Sequence, residues 1–438
     1  MKQILVLGAG KSSGVLIQWL LNNAAASGWK VIVADATLNV AQKAVGSNVY
    51  GEAKAIDTNS QSVVKELIAA CDLVVSMLPP ALHPMIAVHC LEAKKHLLTP
   101  SYVGEKMLAF DAQATQMGLT FLNEMGLDPG IDHMSACQMI DEIRSRGAVI
   151  KSFKSHCGGL VAKQSDNNPW HYKFTWNPRN VVLAGQGEKP IQWLENGKHQ
   201  NLQYKELFAH AQAISVQSGE VFETYPNRDS LSYIGVYDLD EVATFYRGTL
   251  RVQGFCEAWQ FLVALGYCDD EVKVFLKPNE TYRDFTDRLV EANSSQLMID
   301  AVKNSDKFQK FLWLGLYQDD EIGLQTATPA QVLQKRLEEK WKFETTDTDR
   351  VVMLHEVEFE LRGKRYKQTA LLDRSGTLQH TAMAETVGLP IAIAAKLILD
   401  GNIKKSGVLR PISKDIYVPI LDVLKQYGIA FQHNEVEL

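Results

Sequence analysis

The sequence predicts an α/β protein in which a doubly wound parallel sheet comes first and a mixed sheet follows. A wholly apolar run at 3–7 suits a strand that is buried on both faces of a parallel sheet. Behind it, strand-like and helix-like segments alternate up to about residue 122, as in consecutive βαβ units. After Gly147 the apolar residues alternate at strand period instead, which predicts a mixed-sheet α+β domain. A charged, helix-rich stretch at about 254–345 predicts a small helical subdomain.

The elements of the first third follow from their periodicity. Predicted strands lie at 3–7, 30–34, 53–56, 72–78, 95–99 and 119–122, separated by predicted helices at 14–25, 38–45, 61–70, 81–93 and 104–117. Near the C-terminus, 383–401 and 415–428 predict a helical pair that packs back on the first domain. The predicted domains are 1–123 for the parallel sheet, 124–254 with 345–384 for the mixed sheet, 255–344 for the helical subdomain and 385–438 for the returning segment.

Composition and charge are those of a soluble globular protein. The 438 residues are 46% hydrophobic and 22% charged, with a net charge of −6 and both signs interspersed. This balance argues against a nucleic-acid or anionic-membrane partner. The six cysteines form no C-x-x-C pair, and we expect no run that approaches the roughly 18 apolar residues needed to span a bilayer. We therefore expect a cytoplasmic protein with reduced thiols and no bound metal.

A glycine-rich loop joins the first predicted strand to the first predicted helix. It reads GAGKSSG, and its last glycine spacing is one residue longer than in G-x-G-x-x-G. Glycines at such a turn let the backbone approach a pyrophosphate, which sits on the helix N-terminus. In this context the loop predicts a Rossmann dinucleotide-binding domain, with Gly8, Gly10, Lys11, Ser12 and Gly14 at the cofactor.

The same loop contains Gly10-Lys11-Ser12, which resembles the end of a nucleoside-triphosphate P-loop. That motif requires a further glycine five positions before Gly10, where the chain has Leu5. The sequence therefore excludes a P-loop here.

Asp35 ends the second predicted strand, in KVIVADAT. A carboxylate at this position accepts a hydrogen bond from the adenosine ribose 2′-OH and repels a 2′-phosphate, which favours NAD over NADP. The spacing from the glycine loop is slightly long, and the alternative is that Asp35 only caps the helix that begins near Thr37. We predict NAD or NADP as the cofactor, with NAD preferred.

Polar residues also follow the later strands, at the carboxyl edge of the sheet where a cofactor lies. On the cofactor side we place Asp57, Ser76, Leu78 and Thr99. Tyr102, after the fifth strand, can donate a proton or hydrogen-bond a substrate, although tyrosine is common as half-buried packing. His83 is interpreted as a surface or capping histidine.

The turn FLNEMGLDPGIDH, at 121–133, carries the densest set of candidate side chains. Its glycines and its Pro-Gly pair force a sharp corner between a strand and a helix, and such a turn alone is often no more than a turn and a cap. The polar side chains of the corner are Asn123, Glu124 and Asp128. Asp132 and His133, one turn into the helix, are predicted to cap it and to buttress the corner.

A series of ordered motifs extends over nearly the whole chain. They read NEMGLDPGIDH, SFKSHCGGL, NPWHYKFTWNPRNVVLAG, YPNRDSL, FYRGTLRVQGF and TVGLPIAIAAKLILDG, with GVLRP after them. Together they resemble the saccharopine reductase family, the L-glutamate-forming saccharopine dehydrogenases. The resemblance implies a Rossmann domain, a saccharopine-binding and dimer-forming domain and a small helical domain. It also implies an oxidoreductase that interconverts saccharopine with 2-aminoadipate 6-semialdehyde and glutamate through an imine and a nicotinamide hydride.

The resemblance implies that cations of the second domain hold a substrate with three carboxylates. Arg228 in YPNRDSL and Arg251 in RGTLR match the family's substrate motifs, and we predict that both bind carboxylates bidentately. The other implied substrate contacts are Ser101, Tyr102, Asp128, Trp176, Thr249 and Leu250. Asn123 and Glu124 are implied to lie at the nicotinamide end of the cofactor.

The candidates for proton transfer are Asp128, Cys157 and Tyr102. Asp128 and Cys157 are the titratable pair implied to lie nearest the imine. Either can shuttle a proton, or can hydrogen-bond the substrate while water makes the transfer. For Cys157 a buried structural role is the commoner alternative.

The chain also departs from the family pattern. Asp35 and Ala36 stand where the family has a basic residue suited to a 2′-phosphate, and a CGGLPAP block reads CGGLVAK here. Two other functions stay open: a related imine-reducing carboxy-polyamine dehydrogenase, against which Arg228 and Arg251 speak, and a non-catalytic dinucleotide-binding sensor. The expected partners are small molecules and a second copy of the chain, in a homodimer, without nucleic acid or membrane.

Overall fold

The chain folds into two compact units. A computed structural model describes residues 1–187 and 190–438. The first unit comprises Met1–Gly147 and Gln379–Phe431, and the second comprises Ala148–Leu378 and Gln432–Leu438.

Strands and helices are numbered here in chain order. The strands are β1 Lys2–Leu7, β2 Trp29–Asp35, β3 Gly51–Ala55, β4 Leu73–Ser76, β5 His96–Leu98, β6 Thr120–Leu122, β7 Val149–Val161, β8 Ile191–Glu195, β9 Lys198–Leu202, β10 Gln212–Ser215, β11 Val221–Pro226, β12 Thr244–Val252, β13 Val274–Phe275, β14 Thr326–Ala327, β15 Asp349–Leu361, β16 Lys364–Ser375, β17 Gly407–Leu409 and β18 Gln432–Glu437. The helices are α1 Gly14–Ser27, α2 Leu38–Val45, α3 Gln61–Ala69, α4 His83–Ala93, α5 Glu105–Leu108, α6 Asp111–Gln116, α7 Ile131–Ser145, α8 Pro178–Val182, α9 Phe255–Ala264, α10 Tyr282–Ala292, α11 Gln296–Val302, α12 Asp306–Leu314, α13 Pro329–Lys340, α14 Ala382–Leu399 and α15 Lys414–Gln426.

The first unit is built on a seven-stranded sheet in the order β17-β6-β5-β4-β1-β2-β3. Every pairing in it is parallel, and β17 of the C-terminal segment extends the sheet beside β6. The strand order reverses between β1 and β4, and ligands of such sheets bind at this switch point. The predicted doubly wound Rossmann domain is confirmed.

Helix α14 lies against α1 because a glycine lets the two backbones approach closely. A Cβ atom added to Gly388 would come within 2.8 Å of the backbone nitrogen of Leu16. By length and composition α14 is apolar enough to cross a membrane, so the expectation that no run approaches this limit is wrong. Since 78% of the helix is buried inside the protein, it has the surroundings of a core helix.

The boundaries between the units differ from those predicted at 123/124 and 384/385. Helix α7 belongs to the first unit, since it packs on α15 and its Asp141 accepts a hydrogen bond from the Tyr417 hydroxyl. At the other end of the chain, β18 pairs with β16, so Gln432–Leu438 belongs to the second unit. The corner at 121–133 therefore stays with the parallel sheet.

The second unit contains a mixed sheet in the order β10-β11-β12-β7-β15-β16-β18, with β8 and β9 branching from β12. The pairing of β12 with β7 is parallel, whereas the other pairings along this path are antiparallel. This confirms the predicted mixed-sheet α+β architecture. The helices predicted as a separate subdomain share one core with earlier residues, because Trp170 and Tyr172 pack against Trp259 or Trp341.

Candidate functional site

The glycine loop after β1 has the local geometry of a dinucleotide site. Gly8 has φ +95°, and a Cβ atom there would lie 3.1 Å from the carbonyl oxygen of Met77. Only glycine suits this close turn. A Cβ atom on Gly10 or Gly14, by contrast, would meet no atom within 4 Å, so protein packing does not explain these two glycines.

The N-terminus of α1 lies directly behind this loop. Its capping residue Ser13 makes no side-chain hydrogen bond to the helix, and the first turn contains no acidic residue. Lys11 is exposed and Ser12 is half-buried at the same turn. The loop and the helix end therefore offer backbone N–H groups, a cation and open space to a diphosphate.

Asp35 lies at the end of β2, beside the loop. Its Oδ2 accepts a hydrogen bond from the backbone N–H of Ala9 at 2.9 Å, and its Oδ1 accepts one from Thr37 at 3.0 Å. The carboxylate thus holds the turn before α2, without capping an N–H of the helix itself, and also contacts the glycine loop. These contacts leave a hydrogen bond from the ribose 2′-OH to Asp35 possible, because a carboxylate oxygen can accept more than one hydrogen bond.

The residues predicted on the cofactor side at the ends of β3, β4 and β5 differ in exposure. Asp57, after β3, is exposed and accepts hydrogen bonds from Asn59, and Leu78, after β4, is half-buried. Ser76 and Thr99 are buried, at 0% and 1% exposure.

His83 joins these two buried residues. It is 3% exposed, so its interpretation as a surface histidine is wrong. Its Nδ1 lies 3.0 Å from Ser76 Oγ, and its Nε2 lies 2.9 Å from Thr99 Oγ1 and 2.8 Å from Ser101 Oγ. Burial lowers the pKa of His83 to about 4, which keeps the imidazole neutral at neutral pH.

Two predicted catalytic residues lie together in the first unit. The hydroxyl of Tyr102 donates a hydrogen bond to Asp128 Oδ1 at 2.8 Å. Tyr102 is 37% exposed and Asp128 is half-buried, so both side chains are open to a ligand.

Glu124 is enclosed instead, with 0% exposure. Its Oε1 accepts hydrogen bonds from the Val103 N–H and from Arg410 Nε, both at 2.9 Å, and its Oε2 lies 2.8 Å from His133 Nε2. Burial alone would raise the pKa of Glu124, but His133, Arg410 and the Val103 N–H outweigh it and lower the pKa to about 2. These contacts oppose the implied cofactor contact, since both carboxylate oxygens are already occupied.

The other polar side chains of the corner at 121–133 also have partners within the chain. Asn123 is 1% exposed and donates to the carbonyl of Phe121 at 2.9 Å, so its side chain is also turned inward. Asp132 accepts a hydrogen bond from the Gly130 N–H at 2.5 Å and lies 3.5 Å from His133 Nδ1. Asp132 and His133 therefore buttress the turn, as predicted, but the prediction that they cap the helix is wrong, because among the described residues α7 has no side-chain capping hydrogen bond.

In the second unit, Arg251 is a buried cation in an aromatic cage. It is 4% exposed, and its guanidinium carbon lies 5.3, 5.7 and 5.3 Å from the ring centroids of Tyr172, Tyr225 and Phe255. Nη1 donates to the carbonyl oxygen of Leu250 at 2.8 Å. Within residues 1–187 and 190–438, Nε has no hydrogen-bond partner and the guanidinium makes no ion pair. Arg251 is therefore a buried cation whose Nε has no acceptor among the described residues.

The other predicted substrate residues of this unit surround Arg251 unevenly. Cys157 on β7 is buried and lies directly opposite Thr249 of β12, two residues from Arg251. Leu250 is fully buried, and its backbone carbonyl already accepts a hydrogen bond from Arg251. Trp176 is half-buried and donates to the Tyr172 hydroxyl at 3.3 Å.

Arg228 differs from Arg251. It lies in the turn after β11, is exposed and has a positive φ of 51°. Glu223 pairs with Arg251 in the sheet and precedes Arg228 by five residues, so at most about 16 Å of extended backbone separates the two positions. The two arginines thus differ in burial, since Arg228 is exposed on a turn and Arg251 is buried in the sheet.

Sequence reasoning missed two residues of the first unit's network, His83 and Arg410. His83 begins a helix, and Arg410 stands in the GVLRP motif of the returning segment, but neither the helix start nor the motif shows which residues these side chains contact. Within the part of the chain that the structure describes, no cluster of His, Cys, Asp and Glu could hold a metal ion.

Two family models match the chain. One, described as the saccharopine dehydrogenase NADP binding domain, matches residues 4–122, and the other, the saccharopine dehydrogenase C-terminal domain, matches residues 126–429.

Individual relatives match over the full length. The chain is 36% identical to a saccharopine dehydrogenase [NADP(+), L-glutamate-forming] of Pyricularia oryzae, over 99% of both chains. It is 33% identical to the enzyme of the same name in Schizosaccharomyces pombe, over 100% of both. The apo saccharopine dehydrogenase (L-Glu forming) of Saccharomyces cerevisiae has a similar structure, with a TM-score of 0.87, 34% identity and 100% of both chains covered.

Proposed function

We propose that this chain, which belongs to the saccharopine dehydrogenase family, interconverts saccharopine with 2-aminoadipate 6-semialdehyde and L-glutamate. In the oxidative direction, the carbon next to the secondary amine gives up its hydrogen as a hydride to the oxidised nicotinamide, and the amine nitrogen gives up a proton to the protein or solvent, so that the C–N single bond becomes an imine C=N bond. Water then cleaves the resulting imine into the aldehyde and the amine of glutamate. The reverse direction joins the same two compounds and reduces the imine.

The observation that supports this substrate most directly is the unpaired guanidinium of Arg251. Burying a cation without a counterion is costly, so a protein keeps one where a ligand supplies the anion. The aromatic rings around Arg251 exclude water and strengthen its attraction to a carboxylate. Saccharopine carries three carboxylates, and Arg228 at the distant turn is placed for another of them.

The glycine loop fits a nicotinamide dinucleotide. Gly10 and Gly14 leave room for a diphosphate, and the uncapped N-terminus of α1 supplies N–H donors to it. The bound cofactor supplies or accepts the hydride. The family model for residues 4–122 is that of a nicotinamide dinucleotide domain, which supports the same assignment.

Tyr102 and Asp128 are proposed to handle the proton and the amine. Asp128 accepts the Tyr102 hydrogen bond at Oδ1, and the charge of its carboxylate can hold a protonated secondary amine nearby. Tyr102 can then relay the proton that the amine releases. Cys157, buried beside Thr249, is proposed to contact the substrate without carrying the proton.

We also propose that NAD is preferred over NADP. The relatives above are named as NADP(+) enzymes, but here the carboxylate of Asp35 contacts the glycine loop through Ala9. A negative charge at the end of β2 repels a 2′-phosphate and suits a 2′-OH. A cytoplasmic location and a homodimer remain predictions.

Initial rates with saccharopine test both proposals. NAD and NADP are compared for the wild type, Asp35→Ala and a control, Asp72→Ala. Asp72 also accepts a backbone hydrogen bond, from Gln3, but lies at the opposite edge of the sheet. We expect turnover in the wild type, and a NAD/NADP ratio of kcat/KM that falls about tenfold or more in Asp35→Ala alone. No turnover with either cofactor in either direction would overturn the function, and an unchanged ratio in Asp35→Ala would overturn the preference only.

A further inference from the structure

His83 occupies the carboxyl edge of the parallel sheet, yet the proposed chemistry leaves it without a role. It begins α4, and its two ring nitrogens face hydroxyl groups from two different strand ends. Nδ1 contacts Ser76, which ends β4, while Nε2 contacts Thr99 and Ser101, which follow β5. The imidazole thus joins the end of β4 to the loop after β5.

That loop, at 99–103, is also held by Glu124. The Glu124 N–H donates to the carbonyl of Ser101 at 3.1 Å, and the Val103 N–H donates to the Glu124 carboxylate at 2.9 Å. Ser101 and Val103 are therefore both fixed, and Tyr102 lies between them.

The contacts of His83 and Glu124 with the 99–103 loop leave Tyr102 as an exposed residue in the middle of that loop. It is 37% exposed, and its hydroxyl meets Asp128 at 2.8 Å. A short loop that is fixed on both sides leaves its middle residue few backbone conformations. The position of the Tyr102 hydroxyl therefore depends on contacts that its neighbours make deeper in the protein.

A neutral imidazole suits the three hydroxyl groups around His83. It donates from one nitrogen and accepts at the other, and hydroxyl groups rotate to match. A leucine in the same place would leave the hydroxyls of Ser76, Thr99 and Ser101 without this partner in a buried site.

We infer that His83 is a positioning residue: through Thr99 and Ser101 it holds the 99–103 loop so that Tyr102 meets Asp128. Its contacts are with the loop and with Ser76, and the reacting atoms meet Tyr102 instead. The inference rests on the proposed function only in the choice of the reaction that is measured.

Conservative variants separate the loop contacts from the contact with Ser76. The amide of a glutamine reaches about as far as Nε2, which contacts Thr99 and Ser101, whereas that of an asparagine reaches about as far as Nδ1. His83→Gln, His83→Asn and His83→Leu are therefore compared. The control is His89→Leu on the same helix: His89 is 7% exposed, and its ring nitrogens have no hydrogen-bond partner within residues 1–187 and 190–438.

We expect His83→Leu and His83→Asn to lower kcat/KM for saccharopine about 100-fold, since small displacements of a reacting group have effects of this size. His83→Gln is expected to recover at least tenfold of that loss, and His89→Leu to stay within about threefold of the wild type. Cofactor affinity, measured by the fluorescence of bound NADH, is expected to change little in all four. Better recovery in the asparagine variant, or an equal loss in His89→Leu, would overturn the inference.

Hydrogen–deuterium exchange gives a readout that does not depend on the substrate. The amides of 99–110 are expected to exchange at least tenfold faster in His83→Leu than in the wild type, and at an unchanged rate in His89→Leu. If exchange behaves in this way while the wild type fails to turn over saccharopine, the proposed function falls and the positioning role stands. Unchanged exchange in His83→Leu removes the positioning role even in an active enzyme.

Discussion

Glu124 in the first unit and Arg251 in the second are both buried charges, but their partners differ. Glu124 is held by Arg410, His133 and the Val103 N–H, so every part of its carboxylate is used inside the chain. Arg251 has one hydrogen bond to a carbonyl and, among the described residues, no carboxylate. A buried charge that is satisfied by its own chain maintains the architecture, whereas one left unsatisfied is kept for a ligand. The difference separates two roles that the residue types alone do not.

The largest effect is expected from Arg251→Met, which removes the unpaired cation. Losing one side of a buried charge pair costs about 4 kcal/mol, so kcat/KM for saccharopine is expected to fall about 1,000-fold. The melting temperature is expected to stay or to rise, because the free protein loses a cation that it had buried without a carboxylate partner among the described residues. Steady-state kinetics and thermal unfolding of the same sample measure both.

Arg350→Met is the matched control. Arg350 is also buried in the sheet of the second unit, but it pairs with Asp373 at 2.6 Å and with Glu220 at 2.9 Å. Its removal takes the arginine from two carboxylates, of which Glu220 keeps only a longer contact with Lys163 at 3.7 Å, so stability is expected to fall by about 2 kcal/mol while kcat/KM stays within about threefold. A stable, inactive Arg350→Met together with an unstable, active Arg251→Met would reverse the assignment of the two arginines.

The second largest effect is expected from Glu124, the buried charge that is paired within its own chain. Glu124→Gln keeps the shape of the side chain but leaves Arg410 and His133 without their anion, and we expect about 3 kcal/mol less free energy of unfolding. Denaturant titration measures this loss. Adding Arg410→Met to Glu124→Gln is expected to cost less than the sum of the two single variants, because the cation left without a partner is then gone.

An exposed pair of the same C-terminal segment supplies the control. Lys396 and Asp400 form an ion pair on the surface of α14, each with 37% of its side chain exposed. Lys396→Met is expected to change stability by less than about 0.5 kcal/mol. Equal effects of Lys396→Met and Glu124→Gln would show that burial of Glu124 adds nothing to its pairing.

Much of the first unit was predictable from sequence, because its parallel sheet depends on local patterns. Apolar runs gave the strands, and the glycine loop marked the switch point of the sheet. Strand β18 was missed, since all residues of Gln432–Glu437 are exposed and the run has no apolar face. Helix α7 was placed in the wrong unit because its contact with Tyr417 joins positions far apart in the chain.

The candidate site was less predictable, because its exposures and partners arise only in the folded chain. Arg228 and Arg251 were given the same role, yet one is exposed on a turn and the other lies in a cage of aromatic rings. Glu124 was assigned to the cofactor because the sequence does not show that Arg410 reaches its carboxylate. Motifs identified the candidate segment, and packing decided which of its side chains are exposed.

The smallest expected effect is a difference in acid sensitivity, and it sharpens the same comparison. The pKa of His83 is lowered to about 4 by burial, so between pH 6.5 and 4 the unfolded chain binds a proton that the folded chain does not. Stability is therefore fully present above pH 6.5 and is lost as the pH falls towards 4. The pKa of Glu124 is lowered to about 2, so the stability that Glu124 contributes is lost at lower pH, between 4.5 and 2.

His83→Gln removes the group that binds a proton in the unfolded chain, but not in the folded chain, between pH 6.5 and 4. Its free energy of unfolding is expected to fall less steeply between pH 6.5 and 4, by about 1 kcal/mol per pH unit relative to the wild type. Part of the wild-type slope is expected to persist, since His156 of the second unit is also buried with a pKa lowered to about 4. Denaturant titrations at half-unit pH steps resolve the change. Parallel curves for wild type and His83→Gln would show that His83 binds its proton equally well in the folded and unfolded chains, which contradicts the effect of its burial.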